Sequence, residues 1–466
     1  MLGIIGKLKQ EKKKKKTWKS DAMQVNIVAV VVLAAYYGVL VGLSAWSSRR
    51  GKKRAANRVN LSYGNAHDEA LSPGFVRLTL ANRNIPLFLG VSSMTATWVG
   101  GGYLNGTAEA VFKHGLLSTQ VPIGYAISLI FGGLFFSHKM RATRSFTMLD
   151  PFQQLYGRWI GLLLCLPALC GELFWSAAVL AALGQATEVI AGLSSSTCIV
   201  LSSLIYATCT CAGGLPAVVN TDAFHFLTAF VGLVYFQRVL STATVFEAQM
   251  LSYVSAVGCL MFAVPPILIA STSRHSSKFM FSYFEWVRLV ELSLGHCADF
   301  TAAGYPGPAS LKPQDQASVL PFAIRYLCPG VVSVMGMAAV VGAVMSSADS
   351  SALSASTLVT RNVYQALFKT AASERELVKV LRLAVCLATA VATSMALSVT
   401  SVFALWAFSS EMVYVLLFPQ LIGLFYMPKW TNSYGSVASA SSRDSFWSSS
   451  SDAYGGFQPC KCLKGR

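Results

Sequence analysis

A run of small, hydroxyl-bearing and aromatic residues, Met94–Tyr103 (MTATWVGGGY), lies in the middle of an apolar stretch long enough to span a membrane. Its three consecutive glycines, Gly100, Gly101 and Gly102, weaken a helix by roughly 1 kcal/mol each relative to alanine. Backbone that leaves the helix in lipid must be buried in protein or line a wet cavity. The run therefore predicts an interrupted helix with a ligand site at the break. A glycine seam for close helix packing is the alternative.

A second polar segment, Gly342–Ser356, is rich in hydroxyl groups and contains Asp349. Serines three or four residues apart, such as Ser346 and Ser350, share one face of a helix. Hydroxyl, carbonyl and carboxylate oxygens can replace the hydration shell of a small cation such as sodium. The segment therefore indicates an ion site, although a seam of small residues with serines bonded back to their own helix would have the same spacing.

Two further carboxylates, Glu109 and Glu172, also lie within predicted spans. Burying a charge there costs roughly 2.5 kcal/mol or more, so an ionisable residue in a span is a functional candidate. Glu172 and Trp175 are three residues apart and so face the same way on a helix. Together with Trp98 and Tyr125, Glu172 and Trp175 suggest an aromatic cage for a quaternary ammonium group. Such a group cannot donate hydrogen bonds, so aromatic ring faces are well suited to bind it. Taken singly, such aromatic residues usually belong to the core or the membrane interface.

The composition is that of a membrane protein. Of 466 residues, 54% are hydrophobic and 12% are charged, against roughly 25% charged residues in soluble domains. Apolar blocks predict about nine or ten spans in a transmembrane domain at residues 25–427, between a basic tail at 1–24 and a Ser-rich tail at 428–466. The block at 224–236 is too short to cross the membrane, because as a helix it reaches only about 20 Å.

The net charge of +17 indicates membrane topology rather than a nucleic-acid partner. Basic residues cluster at 49–58, 139–158 and 361–382, and the positive-inside rule predicts that these loops are cytoplasmic. They alternate consistently if the N-terminus lies outside, whereas the lysine-rich tail favours the opposite orientation.

Signatures of an enzyme are absent from the sequence. The six histidines show no H-x-x-x-H or H-E-x-x-H spacing, and neither a G-x-S-x-G elbow nor a Walker sequence occurs. We therefore predict that the chain is not an enzyme, and we expect no cofactor.

Eight runs along the chain carry a resemblance to known proteins. They are Met94–Tyr103, Asn105–Ala110, Pro122–Tyr125, Gly132–Phe136, Thr147–Gln154, Phe236–Leu240, Val344–Ser351 and Phe418–Gln420. These runs resemble the choline transporters of the sodium/solute symporter family, and the resemblance extends over residues 25–46, 88–272 and 319–436. Runs as long and as specific as these do not arise by chance.

The resemblance implies an all-α membrane bundle with a LeuT-type inverted repeat. It also implies sodium-coupled, chloride-dependent uptake of choline across the plasma membrane, which supplies acetylcholine synthesis at nerve terminals. The partners would then be choline, sodium, chloride and the lipid bilayer, and pairing with further copies of the chain stays open.

The same resemblance implies the role of particular residues. The walls of the choline cage would be Trp98, Tyr125 and Trp175. The sodium site would comprise the backbone at Ala96 and Val99 together with Ala343, Ser346 and Ser347, with Asp349 beside it.

The chain also departs from the family. Between Leu233 and Tyr235 it lacks a stretch that carries the end of one span, an outer loop and the start of the next span, including a cage tryptophan. The family's spans after Tyr434 are missing as well, so we expect an incomplete bundle that does not carry choline. A transport-inactive variant, from an unusual isoform or a faulty gene model, and a sodium symporter of another solute are the alternatives.

Overall fold

A computed structural model of the chain describes residues 26–59, 73–98, 100–115, 120–229, 245–275, 318–326, 330–399, 401–432 and 434–436. Every regular element in these ranges is a helix. Seven helices among them are long and apolar enough to cross a membrane, so the predicted all-α, polytopic architecture is confirmed. The basic tail at 1–24, most of the Ser-rich tail, Val99 and the join between Leu233 and Tyr235 lie outside the described residues.

The described helices follow one another along the chain. They are α1 (Ile27–Val59), α2 (Pro73–Leu80), α3 (Leu87–Trp98), α4 (Gly101–His114), α5 (Gln120–Phe131), α6 (Ser137–Ala142), α7 (Asp150–Tyr156), α8 (Arg158–Ala191), α9 (Ser195–Ala229), α10 (Val245–His275), α11 (Val319–Tyr326), α12 (Gly330–Leu358), α13 (Glu374–Ser398), α14 (Val402–Glu411) and α15 (Phe418–Tyr426). Wider π-helical turns join α5 to α6 and α14 to α15, and another, Val359–Phe368, extends α12.

Helix α12 is the centre of the bundle. In its most apolar window 83% of the residues are buried, against 33% to 56% in the other six candidate spans. It packs against α8, α9, α13 and α3. The hydroxyl groups of this helix therefore face protein rather than lipid, where each needs a partner inside the bundle.

The predicted interruption at the glycine run is present. Helix α3 ends at Trp98, Gly100 is extended with φ −65° and ψ −177°, and α4 begins at Gly101. A Cβ on Gly101 would lie 2.5 Å from Val344 Cγ2. The glycines thus accompany a break in the helix and also allow it to approach α12, as both interpretations of the run require.

Helix α9 contains a second break, which the sequence analysis did not predict. Gly214 has φ 57° and ψ −155°, one residue before Leu215 and close to Pro216 within the helix. A Cβ on Gly214 would lie 2.5 Å from the carbonyl oxygen of Leu78 on α2. The short apolar block predicted at 224–236 begins inside α9, and its residues beyond Ala229 lie outside the described ranges.

The glycine packing can be tested with neighbouring substitutions. Gly101→Ala should lower the thermal unfolding temperature of the purified protein, because overpacking against Val344 costs about 1–3 kcal/mol. Gly102→Ala is the matched control, since a Cβ there meets nothing closer than 3.7 Å and alanine favours the helix. Equal unfolding temperatures for the two variants would contradict close packing at Gly101.

Candidate functional site

A cavity of about 600 Å³ opens beside the break between α3 and α4. Trp98, Tyr125, Glu172 and Trp175 all line it. The structure therefore brings the three predicted cage residues and one predicted carboxylate to a single space. The lining is otherwise mainly apolar. Hydroxyl groups are added by Ser351 and Ser354 on α12 and by Ser409 and Ser410 on α14.

Aromatic rings pack around Tyr125, which lines the cavity together with Trp98. The ring centroids of Trp98 and Tyr125 are 4.9 Å apart at 81°, and those of Tyr103 and Tyr125 are 5.8 Å apart at 75°. Trp406 Nε1 donates a hydrogen bond of 2.7 Å to Tyr125 Oη. Such ring pairs add about 0.5–1.5 kcal/mol beyond their burial, so Tyr125 is held in place from three sides.

Trp406 was not singled out in the sequence. It lies in the apolar run Val402–Phe408 (VFALWAF) of α14, which gives no local sign of a site. Its contact with Tyr125 joins residues 281 positions apart, a distance that no local pattern spans.

Glu172 faces the cavity from α8. Its Oε1 accepts a hydrogen bond of 2.6 Å from Ser354 Oγ on α12. The carboxylate therefore lies on the same cavity as Trp98 and Trp175, where it can face a cation held over the aromatic rings.

The hydroxyl groups of α12 meet the end of α3. Ser347 Oγ lies 2.9 Å from the carbonyl oxygen of Thr97 and 3.0 Å from that of Ala343. Thr97 Oγ1 is 3.0 Å from Ser350 Oγ and 3.4 Å from Ser346 Oγ. Oxygen atoms of the predicted residues Ala343, Ser346 and Ser347 thus meet oxygen atoms of Thr97 and Ser350, which the sequence analysis did not assign to the sodium site. Ala96 is buried next to them, and Val99 is outside the described residues.

The carboxylate beside Ser346 is Asp222 of α9. Ser346 Oγ donates a hydrogen bond of 2.7 Å to Asp222 Oδ1, Ser93 Oγ donates to Oδ2, and His225 Nδ1 lies 3.9 Å from Oδ1. Asp349, which was predicted beside the sodium site, accepts a 2.9 Å hydrogen bond from Thr210 Oγ1 on α9. The sequence analysis missed Asp222 because it ended one apolar block at residue 215 and began the next at residue 224. With α9 drawn through to Ala229, the residue qualifies as a carboxylate within a span.

Glu109 has contacts of another kind. Its carboxylate pairs with Lys113 Nζ at 2.5 Å, lies 3.3 Å from Ser401 Oγ and accepts a 3.2 Å hydrogen bond from the backbone N–H of Phe403. Phe403 is in the first turn of α14, where a negative charge is favourable. Glu109 does not line the cavity, and these contacts stabilise the start of α14.

A sequence model of the sodium:solute symporter family matches residues 78–266 and 270–440. The chain belongs to this family. It is 38% identical to "High-affinity choline transporter 1" of Drosophila melanogaster, over 89% of this chain and 69% of that protein. It is 37% identical to "High affinity choline transporter 1" of Homo sapiens, over 89% of this chain and 75% of that protein.

Structural similarity supports the same fold. A solved structure of a Na⁺-coupled sialic acid symporter, in a substrate-bound outward-open state, superposes with a TM-score of 0.64 over 89% of this chain and 90% of that chain at 15% identity. At that identity the likeness concerns the fold alone. The chain is thus a multi-pass, sodium-coupled membrane transporter with a LeuT-type fold, and not an enzyme.

The alignment with the Drosophila relative also contains gaps. It extends over 464 positions but includes only 89% of this 466-residue chain. The relative therefore contributes residues that have no counterpart here, within a region that the two proteins otherwise share.

Proposed function

We propose that the chain binds choline in the aromatic cavity, as part of a sodium-coupled choline symporter of the plasma membrane. The observation that carries this proposal is the convergence of Trp98, Tyr125 and Trp175 with Glu172 on one cavity. A quaternary ammonium group offers no hydrogen-bond donor, so ring faces and a carboxylate are the groups that can bind it. The names of the relatives in Drosophila and human support the same substrate.

Sodium would bind at the end of α3. The supporting observation is the cluster of oxygen atoms from Thr97, Ser346, Ser347 and Ser350, with the Asp222 carboxylate bonded to Ser346. Hydroxyl and carbonyl oxygens suit a hard monovalent cation, and a carboxylate supplies the compensating charge. Asp349 stays a candidate for the neighbourhood of the site through its place on the same helix.

The positions of Thr97 and Trp98 provide a mechanism for coupling. Thr97 reaches the hydroxyl cluster and Trp98 lines the cavity, and the two residues are adjacent at the C-terminal end of α3. A cation that draws the Thr97 oxygens towards α12 fixes the backbone that orients the Trp98 ring. Sodium binding would therefore prepare the cage for choline, and by reciprocity choline would strengthen sodium binding.

The cellular role follows from the family resemblance. We propose a dependence on chloride, a location in nerve terminals and a role in supplying choline for acetylcholine synthesis. A sodium symporter of another solute would need a differently built cavity, and the aromatic rings around Tyr125 favour an organic cation.

A transport-inactive form of the transporter is the second candidate. It is favoured by the gaps in the alignment with the relatives and by the absence of a family segment between Leu233 and Tyr235. An interrupted helix from each repeat normally builds the site of such transporters. A chain without the interrupted helix of the second repeat would retain part of the cage, but would lack the element that closes it.

Loss of Trp98 should weaken choline binding. Removing a desolvated cation–π contact costs about 2 kcal/mol, so Trp98→Ala should raise the dissociation constant of choline roughly thirtyfold. The measurement is equilibrium binding of labelled choline to the chain after the missing family segment, taken from the Drosophila relative, is inserted between Leu233 and Tyr235. Trp159→Ala is the matched control, since Trp159 is 65% exposed and does not line the cavity. Unchanged binding by Trp98→Ala would remove Trp98 from the cage.

Loss of the Ser346 hydroxyl should weaken sodium binding. Ser346→Ala keeps the volume nearly constant while it removes an oxygen beside Thr97 and Asp222, so half-maximal choline binding should require several times more sodium. Ser356→Ala is a control on the same helix, because Ser356 is equally buried and its Oγ donates to the carbonyl oxygen of Leu353. If both variants keep the parent's sodium dependence, the cluster is a packing seam.

The 466-residue chain itself should show no sodium-dependent choline uptake above background in transfected cells, because the second interrupted helix is missing. Inserting the Drosophila segment between Leu233 and Tyr235 should restore saturable uptake. The control is surface biotinylation of both proteins, which separates loss of transport from loss of delivery to the membrane. Saturable uptake by the 466-residue chain without the inserted segment would show that the missing helix is dispensable.

A further inference from the structure

The cavity extends well beyond the aromatic cage. It reaches Ala168 on α8 and Leu358 on α12, each seven residues along its helix from Trp175 and Ser351 beside the cage. Seven residues of α-helix span about 10 Å. The far end is lined by Phe146–Leu149, a segment between α6 and α7. This end of the bundle, here termed the basic end, carries Lys139, Arg141, Arg144 and Arg158.

The segment Phe146–Leu149 contains no regular helix and is held by the Asp150 side chain. The backbone N–H of Phe146 donates a 2.9 Å hydrogen bond to Asp150 Oδ2, and Thr147 Oγ1 lies 2.7 Å from Oδ1. Asp150 is only 4% exposed. Hydrogen bonds to a buried carboxylate contribute more than neutral ones, about 1.5–3 kcal/mol each, so this side chain largely determines where the segment lies.

Asp150 is bound in turn to the extension of α12. Asn362 Nδ2 donates a 3.1 Å hydrogen bond to Asp150 Oδ1, and Arg361 Nε lies 3.5 Å from Oδ2. Gln153 Nε2 adds a 3.1 Å hydrogen bond to the carbonyl oxygen of Asn362. The segment at the end of the cavity is therefore anchored to the same helix that carries Ser346 and Ser347.

A second anchor comes from the residues that precede α3. Arg83 donates hydrogen bonds to the carbonyl oxygens of Arg144, at 2.5 Å, and Ser145, at 3.4 Å. The guanidinium carbons of Arg83 and Arg361 lie 5.4 Å and 5.2 Å from the centre of the Phe146 ring. Arg83 itself has φ 53°, a conformation that non-glycine residues seldom adopt without tertiary contacts to hold it.

We propose that Asp150 is a positioning residue that holds Phe146–Leu149 as a gate at the basic end of the cavity. The gate contacts the residues that precede α3, and Trp98 is at the other end of that helix. It also contacts the extension of α12, the helix that carries the hydroxyl cluster. A displacement of α3 relative to α12 must therefore break contacts to Arg83 or to Asp150. The proposal rests on the proposed function, in which a solute leaves the cavity past this segment.

The gate also suits opening. Its polar contacts can be exchanged for contacts with water, at a cost of about 1.5–3 kcal/mol for each hydrogen bond to the Asp150 carboxylate, and the Arg361 side chain is already 25% exposed. The rings around Tyr125 have no such substitute in water. The basic end is thus the end of the cavity at which a solute can be released with the cage still intact.

The experiment measures access to the cavity and does not require transport. Thr357 lines the cavity between cage and gate and is 4% exposed, so Thr357→Cys serves as the reporter. The 466-residue chain with this change is reconstituted in lipid nanodiscs and treated with a membrane-impermeant, sulfonate-bearing thiol reagent. Labelling at residue 357 is followed by mass spectrometry of its peptide. Adding Asp150→Ala should raise the labelling rate at least about fivefold.

The matched control is Glu376→Gln, which removes a carboxylate whose contacts are with Lys369 at 2.8 Å and with Tyr364 Oη at 2.5 Å on the extension of α12, rather than with Phe146–Leu149. It should leave the labelling rate of the Thr357→Cys protein within about twofold. An Asp150→Ala rate equal to that of the parent would overturn the proposal, and so would an equal increase in the control.

A second variant tests the gate in case the Asp150→Ala protein does not fold. Thr147 Oγ1 lies 2.9 Å from Asn362 Oδ1, so Thr147→Cys with Asn362→Cys should form a disulfide on oxidation with copper phenanthroline. The oxidised protein should label at residue 357 at least about fivefold more slowly than the reduced protein, and reductant should reverse this. Equal rates in the two states would overturn the gate.

Choline tests the proposed function separately, in the same assay on the Thr357→Cys protein with the Drosophila segment inserted between Leu233 and Tyr235. If choline slows labelling at residue 357, the cavity takes the proposed solute. If Asp150→Ala raises the rate but choline has no effect, the gate stands and choline as the ligand does not.

Discussion

The close approach of the α3–α4 junction to α12 is the constraint on which the rest of the structure depends. A Cβ on Gly100 would lie 2.1 Å from Ser347 Oγ, so no larger residue fits there without displacing that serine. Only at this separation can Ser347 Oγ reach the carbonyl oxygen of Thr97. Backbone freed by a helix break needs a partner within the bundle. The helix break and the hydroxyl cluster therefore depend on each other, because Ser347 of α12 bonds to the backbone carbonyl of Thr97 at the break.

The central position of α12 explains why its polar residues are so numerous. A helix that is buried on almost every side exposes few hydroxyl groups to lipid, so most of them can bond to neighbouring helices. Its small side chains also let α3, α8 and α9 approach closely. Ser346 and Ser347 turn towards α3, Ser354 turns towards Glu172, and Asp349 turns towards Thr210. The hydroxyl-rich run thus serves several contacts at once, and packing and ion binding are not exclusive uses of it.

Asp222 adds a requirement for charge. A carboxylate buried in a span is costly unless hydrogen bonds or a cation compensate it. Ser93 and Ser346 supply hydrogen bonds from two different helices. A cation among the same oxygen atoms would add to this compensation, which is a physical reason to expect sodium at this cluster rather than a neutral solute.

The sequence predicted the features whose cause is local. The glycine run predicted the break after Trp98, because glycine weakens a helix wherever it occurs. The spacing of Glu172 and Trp175 predicted a shared face, and both residues line the cavity. The alternating charge and hydropathy predicted a polytopic bundle.

Features that arise from distant contacts could not be predicted in this way. Trp406 matters through Tyr125, and Asp150 matters through Asn362, more than 200 residues away in each case. Asp222 was missed for a different reason. Gly214 and Pro216 mark the end of a helix by local rules, and the backbone is non-helical at Gly214, but a further helical stretch follows directly and carries Asp222.

The two ends of the cavity are built from different interactions, and this difference gives the site a direction. Around Tyr125 the wall consists of aromatic edges and faces, which lose their contacts without compensation when they separate in water. Around Asp150 the wall consists of hydrogen bonds and guanidinium contacts, which water can replace. A cation that is held by rings at one end and faces exchangeable polar contacts at the other meets a lower barrier towards the basic end. The positive-inside rule predicts that this end faces the cytoplasm, and with that orientation the asymmetry of the two walls would favour inward release.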